Sequence, residues 1–105
     1  MKKVLFRSLV GLPLVVGGAA LGADIEAGKR LAEQRCAACH IISPAAARRG
    51  TLVADAPPFD VIALKFGGDT DRLALNLMGP HAKMNFRLSP PDAANIAEYI
   101  VSLRN

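Results

Sequence analysis

The feature that most constrains this chain is the stretch Cys36-Ala37-Ala38-Cys39-His40, which holds both of its cysteines and one of its two histidines. Two thiols three residues apart, followed at once by an imidazole, suit three kinds of chemistry: a redox-active dithiol, half of a zinc site, or covalent attachment of haem. Each of these demands a different fold around the motif. The rest of the sequence therefore has to decide between them.

The first residues have the pattern of a secretory signal peptide. A basic head, residues 1–7, precedes an apolar run over residues 9–21 that ends in small side chains. A membrane span needs about 20 apolar residues, whereas this run is shorter and is interrupted by Pro13 and several glycines. We therefore predict an exported, periplasmic protein with a signal peptide over residues 1–23, cleaved at one of positions 20–23. The alternative is a signal that stays uncleaved as a membrane anchor.

Removing the signal peptide changes the charge of the chain. The full sequence has 13 basic and 9 acidic residues, a formal net charge of +4. Three of the basic residues lie in the signal peptide, so the mature domain, residues 24–105, keeps 10 basic and 9 acidic residues and a net charge of +1. A nucleic-acid-binding domain would carry a clustered basic face. The basicity of the chain is a targeting feature, and we predict no nucleic-acid partner.

The mature domain is also small enough to limit how it can be stabilised. Below about 80 residues a hydrophobic core alone contributes little stability, and such domains usually contain disulfides, a metal or a large cofactor. A disulfide between cysteines three residues apart closes almost no loop and adds little. The sequence therefore predicts that a bound group fills part of the core.

The pattern of caps, breakers and apolar spacing predicts short helices and no strands. Asp, Thr or Ser residues stand at the starts of the first, third and fourth helices, Pro57-Pro58 opens the second, and glycines or prolines follow the ends of the second and third. The predicted helices run from Asp24 to about Arg35, from Phe59 to Phe66, from Asp69 or Thr70 to Met78, and from Ser89 through Leu103. A long loop, residues 41–56, joins the first two. The predicted class is all-α, with loops that are long for so small a domain.

This all-α pattern separates the three chemistries. A thioredoxin-type dithiol begins a helix after a strand, but here the thiols follow a helix. A structural zinc ion takes four ligands, and only Cys36, Cys39, His40 and His81 are available. Haem attachment needs two cysteines to bond the porphyrin edge and a following histidine to reach the iron. We therefore predict haem c bound covalently through Cys36 and Cys39, with His40 as an axial ligand.

Over essentially the whole mature domain, the sequence resembles the class I c-type cytochromes, which are small exported proteins with one haem. The matching segments, in order, are a first helix with Gly28, "CAACH", "APPF", "PHAKMNFRLS" and a closing helix "IAEYIVSL". The resemblance implies a small class I cytochrome c fold, in which about four short helices and their loops wrap one covalently bound haem. In that family the first and last helices cross tightly, which suits Gly28 and Ala32 against Tyr99 and Ile100.

The resemblance also implies the remaining site residues. The proximal histidine of the family donates to a proline carbonyl, a role that falls on Pro57, with the neighbouring Pro58 as the alternative. The candidates for the sixth iron ligand are Met78, His81 and Met84, and the family keeps its ligand in the loop before the last helix, which implies Met84. In this sequence Asn85 follows that methionine, where the family often has proline. The expected pocket wall, equally consistent with ordinary core packing, consists of Phe59, Phe66, Leu77 and Phe86.

No residue of the sequence presents itself as a catalytic acid, base or nucleophile. We therefore predict a carrier, and not an enzyme, that transfers single electrons between periplasmic redox proteins, with a donor dehydrogenase or reductase and an acceptor oxidase or cytochrome. The alternatives are a haem subunit of a larger dehydrogenase or oxidase complex, and a haem sensor with an open sixth position. Docking charges are predicted at Arg48, Arg49, Lys65, Lys83 and Arg87, although an ordinary solvated surface explains them equally well.

Overall fold

A computed structural model describes residues 22–45, 56–81 and 84–104, and these residues form four helices and no strand. The all-α prediction is confirmed, and the helix bounds agree with those predicted from the sequence. The helices are α1 (Ile25–Arg35), α2 (Phe59–Phe66), α3 (Thr70–Met78) and α4 (Pro90–Ser102). The predicted signal peptide, apart from its last two residues, lies outside the described residues, as do Arg48, Arg49 and Lys83.

The helices begin and end where local chemistry dictates. The Asp24 carboxylate accepts hydrogen bonds from two backbone amides in the first turn of α1, and Asp69 and Ser89 each accept one at the starts of α3 and α4. These side chains satisfy amides that have no partner within the helix. Gly67 ends α2 in the left-handed conformation (φ 60°), which costs a glycine little because it has no Cβ.

The closing helix α4 is the centre of the fold, and α1, α2 and α3 all pack against it. Its crossing with α1 is very close at Gly28, where a Cβ would lie 1.9 Å from the carbonyl oxygen of Asn95. The Asp24 amide also donates to Asn95 Oδ1 at 2.8 Å. The contact lies one turn earlier in α4 than Tyr99, and it fixes the first turn of α1, about two turns before the cysteine motif.

The core of the described residues is built from few large side chains. Only Leu73, Ile96 and Ile100 are both large and essentially fully buried. Phe59 and Tyr99 are also buried, and their rings meet edge to face with centroids 6.4 Å apart. Around this core, other apolar side chains pack against it but stay only partly covered; they include Leu31, Ile62, Leu77, Met78, Met84 and Phe86. A core of this composition leaves apolar surface that a large cofactor would cover.

Candidate functional site

The cysteine motif forms a compact turn directly after α1. The amides of Cys39 and His40 donate to the carbonyl oxygen of Cys36 at 3.1 and 2.9 Å, and the Cys36 amide donates back to Ala32 at 2.8 Å. The turn is thus tied to the last part of α1, the helix whose first turn crosses α4 at Gly28. Cys36, Cys39 and His40 are all half-buried. This arrangement brings both thiols and the imidazole to one short segment, as the spacing predicts.

The His40 ring is oriented by a backbone carbonyl. Its Nδ1 lies 2.6 Å from the carbonyl oxygen of Pro57. Because a carbonyl oxygen can only accept, Nδ1 carries the proton and donates, so Nε2 keeps the lone pair that binds a metal ion. Such a bond fixes the orientation of a ligating imidazole and raises its basicity. The sequence left open whether Pro57 or Pro58 supplies the carbonyl that accepts from His40. In the structure it is the carbonyl of Pro57.

The segment that carries Pro57 is held against the cysteine motif by Phe59. The Phe59 amide donates to the Ile41 carbonyl at 2.9 Å, and the Phe59 ring lies 5.4 Å from the His40 ring, centre to centre. Tyr99 of α4 then donates its hydroxyl to the Ile42 carbonyl at 2.7 Å, in a buried position. The backbone that follows His40 is therefore tied to the core, and this keeps the imidazole from swinging away from the site.

The environment of the thiols differs from that of a redox-active dithiol. Burial raises the pKa of the Cys36 thiol to about 11, with Arg35 lowering it and Cys39 adding to the increase. Reactive cysteines instead have a depressed pKa that favours the thiolate, which is the nucleophile. Cys36 therefore stays protonated at neutral pH, and the thioredoxin-type alternative is not favoured by its surroundings.

The candidates for a second iron ligand occupy two different settings. Met78 is the last residue of α3 and packs half-buried against the core. His81 and Met84 lie in the loop that follows, where the Met84 amide donates to the His81 carbonyl at 3.2 Å. The His81 ring stands nearly perpendicular to the His40 ring, with centroids 6.0 Å apart. The structure therefore brings this loop close to the face of the molecule that carries His40.

Two arginine contacts in this region were not predicted from the sequence. Arg87, expected only as a docking charge, donates from Nη1 to the carbonyl oxygen of Met78 at 3.2 Å. The Arg35 guanidinium lies over the Phe86 ring, 4.8 Å from its centre. The first contact has a sequence signal: the last turn of α3 contains no basic residue, and Arg87 follows in the next loop. No local signal reveals the second, because Arg35 and Phe86 are far apart in the chain.

The residues present fit a covalently attached haem. Two thiols and an imidazole on one turn are the groups that attachment of this cofactor requires, the thiols to bond the porphyrin edge and the imidazole to bind the iron. The His40 proton is held on Nδ1 by Pro57, which leaves Nε2 to bind iron. Partly covered apolar side chains, with Leu77 and Phe86 among them, supply a surface suited to a flat apolar macrocycle.

Comparison with known proteins agrees with this chemistry. The family model for cytochrome c matches residues 25–104, which include the whole motif and all four helices. The chain belongs to the cytochrome c family. Its members hold haem c covalently and carry electrons, so this protein is a haem-containing electron carrier and not an enzyme.

A characterised relative extends the comparison beyond the family model. Over 86 residues the chain is 41% identical to cytochrome c-552 of Bradyrhizobium diazoefficiens, covering 81% of this chain and 80% of the relative. No solved structure matches the chain significantly. Among the described residues, 22–45, 56–81 and 84–104, no helix is long and apolar enough to cross a membrane.

Proposed function

We propose that the mature protein, residues 24–105, shuttles single electrons between redox proteins of the periplasm after removal of a signal peptide over residues 1–23. Cys36 and Cys39 would hold the haem through thioether bonds, and His40 and Met84 would bind its iron. The observation that carries this proposal is the 2.6 Å contact between His40 Nδ1 and the Pro57 carbonyl oxygen, which leaves the Nε2 lone pair available to bind a metal. When bound, the haem supplies a one-electron couple, and the chain tunes it.

Each residue has a separate part in this function. Cys36 and Cys39 fix the cofactor in position, so its orientation survives encounters with partners. Pro57 orients the His40 imidazole and increases its donor strength. Met84 contributes a thioether, which favours ferrous iron and raises the reduction potential relative to a second histidine. Two protein ligands leave no iron position for a substrate, which agrees with a carrier that does no chemistry of its own.

The identity of the partners follows only in part from the chain. The name of the relative, cytochrome c-552, supports redox proteins as the partners. The mature net charge of +1 indicates that long-range attraction contributes modestly to docking. We expect electron exchange with a periplasmic donor or acceptor to slow only mildly as the salt concentration rises.

Attachment is tested on protein exported by a bacterial host that has haem-attachment machinery. The wild-type band on a denaturing gel should stain for haem peroxidase activity. Replacing both Cys36 and Cys39 by serine should abolish the stain, and replacing either one alone should leave a single thioether. A colourless wild-type band from well-expressed protein would rule out covalent haem at this motif.

The ligand assignment is tested with three matched variants, Met84→Ala, Met78→Ala and His81→Ala. The oxidised wild type should show the weak far-red absorption band that arises from sulfur-to-iron charge transfer. Met84→Ala should lose this band and bind carbon monoxide rapidly in the ferrous state, whereas the other two variants should keep the wild-type spectrum. If wild-type ferrous protein binds carbon monoxide quickly and exchanges electrons slowly, the chain is a sensor with an open sixth position.

A further inference from the structure

The loop between α3 and α4 holds two groups that can bind iron. We call its described parts, residues 79–81 and 84–89, the methionine loop. It contains His81 and Met84, joined by the backbone hydrogen bond between them. Because both residues lie in the same short segment, the contacts that hold the segment determine which of the two binds the iron.

One arginine ties the methionine loop to the end of α3. Arg87 Nη1 donates to the carbonyl oxygen of Met78, the last residue of that helix. Carbonyls at a helix C-terminus lack intrahelical partners and carry partial negative charge, and the last turn of α3 contains no basic residue of its own. Arg87 therefore supplies both a donor and a positive charge, and it closes the base of the loop.

A second arginine ties the loop to the haem motif. Arg35 is the last residue of α1 and directly precedes Cys36. Its guanidinium covers the ring of Phe86, which stands two residues after Met84 and packs half-buried against the core. A cation above the face of an aromatic ring is attracted by its quadrupole. This contact joins the segment carrying Met84 to the segment carrying the cysteines.

His81 is close enough to compete for the iron. Its ring centre lies 6.0 Å from that of His40. Two imidazoles that bind one metal ion from opposite sides, each through a bond of about 2 Å, have ring centres roughly 6 Å apart. His81 therefore lies within reach of an iron bound by His40. A thioether favours ferrous iron, so this competition is strongest in the ferric protein.

We infer that Arg35 and Arg87 are positioning residues that keep Met84, and not His81, on the iron. The inference rests on the proposed ligation by His40 and Met84. Both arginines are exposed, so replacing them opens no cavity and the variants should fold. Losing either contact frees one end of the segment that carries Met84, and the iron then exchanges its ligand more readily.

The test compares Arg35→Gln and Arg87→Gln with a matched control, Arg72→Gln. Arg72 lies 4.6 Å above the ring centre of Phe66 and 3.6 Å from the Asp69 carboxylate, so its replacement removes a ring contact like that of Arg35, and the same charge, away from the methionine loop. Added imidazole displaces Met84 from ferric protein at a rate that stopped-flow absorbance measures. We expect this rate to rise about 3- to 10-fold in the two test variants, as one surface contact allows, and to stay at the wild-type value in Arg72→Gln.

The identity of the ligand that enters supplies a second readout. Without added imidazole, ferric Arg35→Gln/Arg87→Gln should lose part of its sulfur-to-iron band and gain the electron paramagnetic resonance signature of two imidazoles. Adding His81→Ala to the same protein should remove that signature. Placing Lys instead of Gln at residue 87 (Arg87→Lys) should restore most of the sulfur-to-iron band. Equal displacement rates in wild type, Arg35→Gln, Arg87→Gln and Arg72→Gln would overturn the inference. A wild type without the sulfur band would instead overturn the Met84 assignment itself.

Discussion

The close crossing of α1 and α4 yields a sharp prediction about stability. A Cβ added at Gly28 would lie 1.9 Å from the carbonyl oxygen of Asn95, 2.5 Å from its carbonyl carbon and 3.0 Å from the Ile96 nitrogen. All three are backbone atoms inside a helix, so none of them can rotate away as a side chain would. Gly28→Ala therefore forces the two helices apart.

The magnitude follows from the separation that is needed. A Cβ essentially never approaches another heavy atom closer than 3.0 Å, so the helices must separate by about 1 Å at Gly28. A gap of about 0.5–1 Å already removes a quarter to a half of the attraction between facing atoms. Overpacking typically costs about 1–3 kcal/mol, and a clash with rigid backbone belongs at the upper end. Alanine returns about 1 kcal/mol through its helix propensity, which leaves a net loss of about 2 kcal/mol.

The assay is thermal and urea unfolding of the haem-loaded protein, followed by circular dichroism and by haem absorbance. A loss of about 2 kcal/mol should lower Tm by roughly 10 °C in a domain of this size. Lys29→Ala, at the next position of α1 and exposed, is the control and should stay within about 0.5 kcal/mol of wild type. If Gly28→Ala unfolds at or above the wild-type temperature, the helices do not meet at this point and the packing argument fails.

Two further perturbations test how the loops and the last helix are held. Tyr99→Phe leaves the buried Ile42 carbonyl without its 2.7 Å donor and should lower the free energy of unfolding by about 1–2 kcal/mol at neutral pH. Burial raises the pKa of Tyr99 above 10.0, with Glu33 adding to the effect, so the unfolded chain loses this proton first. The difference in the free energy of unfolding between wild type and Tyr99→Phe should then be constant below pH 10 and shrink above it. Urea unfolding across that pH range measures this difference, and a difference that grows above pH 10 would contradict the prediction. Ser89→Ala removes the acceptor of the Asp92 amide and should cost about 1 kcal/mol, measured by the same unfolding experiment; an unchanged midpoint would show that this cap contributes nothing.

The helices were predictable because their limits are set by neighbouring residues. The Asp24 carboxylate caps its own first turn, Gly67 adopts a left-handed conformation open to few other residues, and Pro90 begins a helix where its missing amide costs nothing. None of these effects needs a partner from elsewhere in the chain. The secondary structure could therefore be predicted from the sequence without knowledge of how the helices pack.

The haem-attachment motif could be predicted for the same reason. Cys36, Cys39 and His40 occupy one turn, and their spacing predicts haem attachment once the all-α pattern and the small size of the mature domain are added; family membership supports the cofactor. The signal peptide, by contrast, remains a prediction from composition, since residues 1–21 are outside the described part of the chain. Met84 as the sixth ligand likewise remains a proposal.

The tertiary structure decided what depends on residues distant in sequence. It determined that the Pro57 carbonyl, and not that of Pro58, lies at His40 Nδ1, and that Gly28 meets Asn95. It also showed that Arg87, a surface charge in the sequence, binds the end of α3. A hydrogen bond between residues many positions apart depends on how whole helices cross, and the crossing depends on backbone contacts that composition and spacing do not encode. Local chemistry thus set the candidate haem-binding residues and the helices, whereas helix packing set how firmly and in which direction those side chains are held.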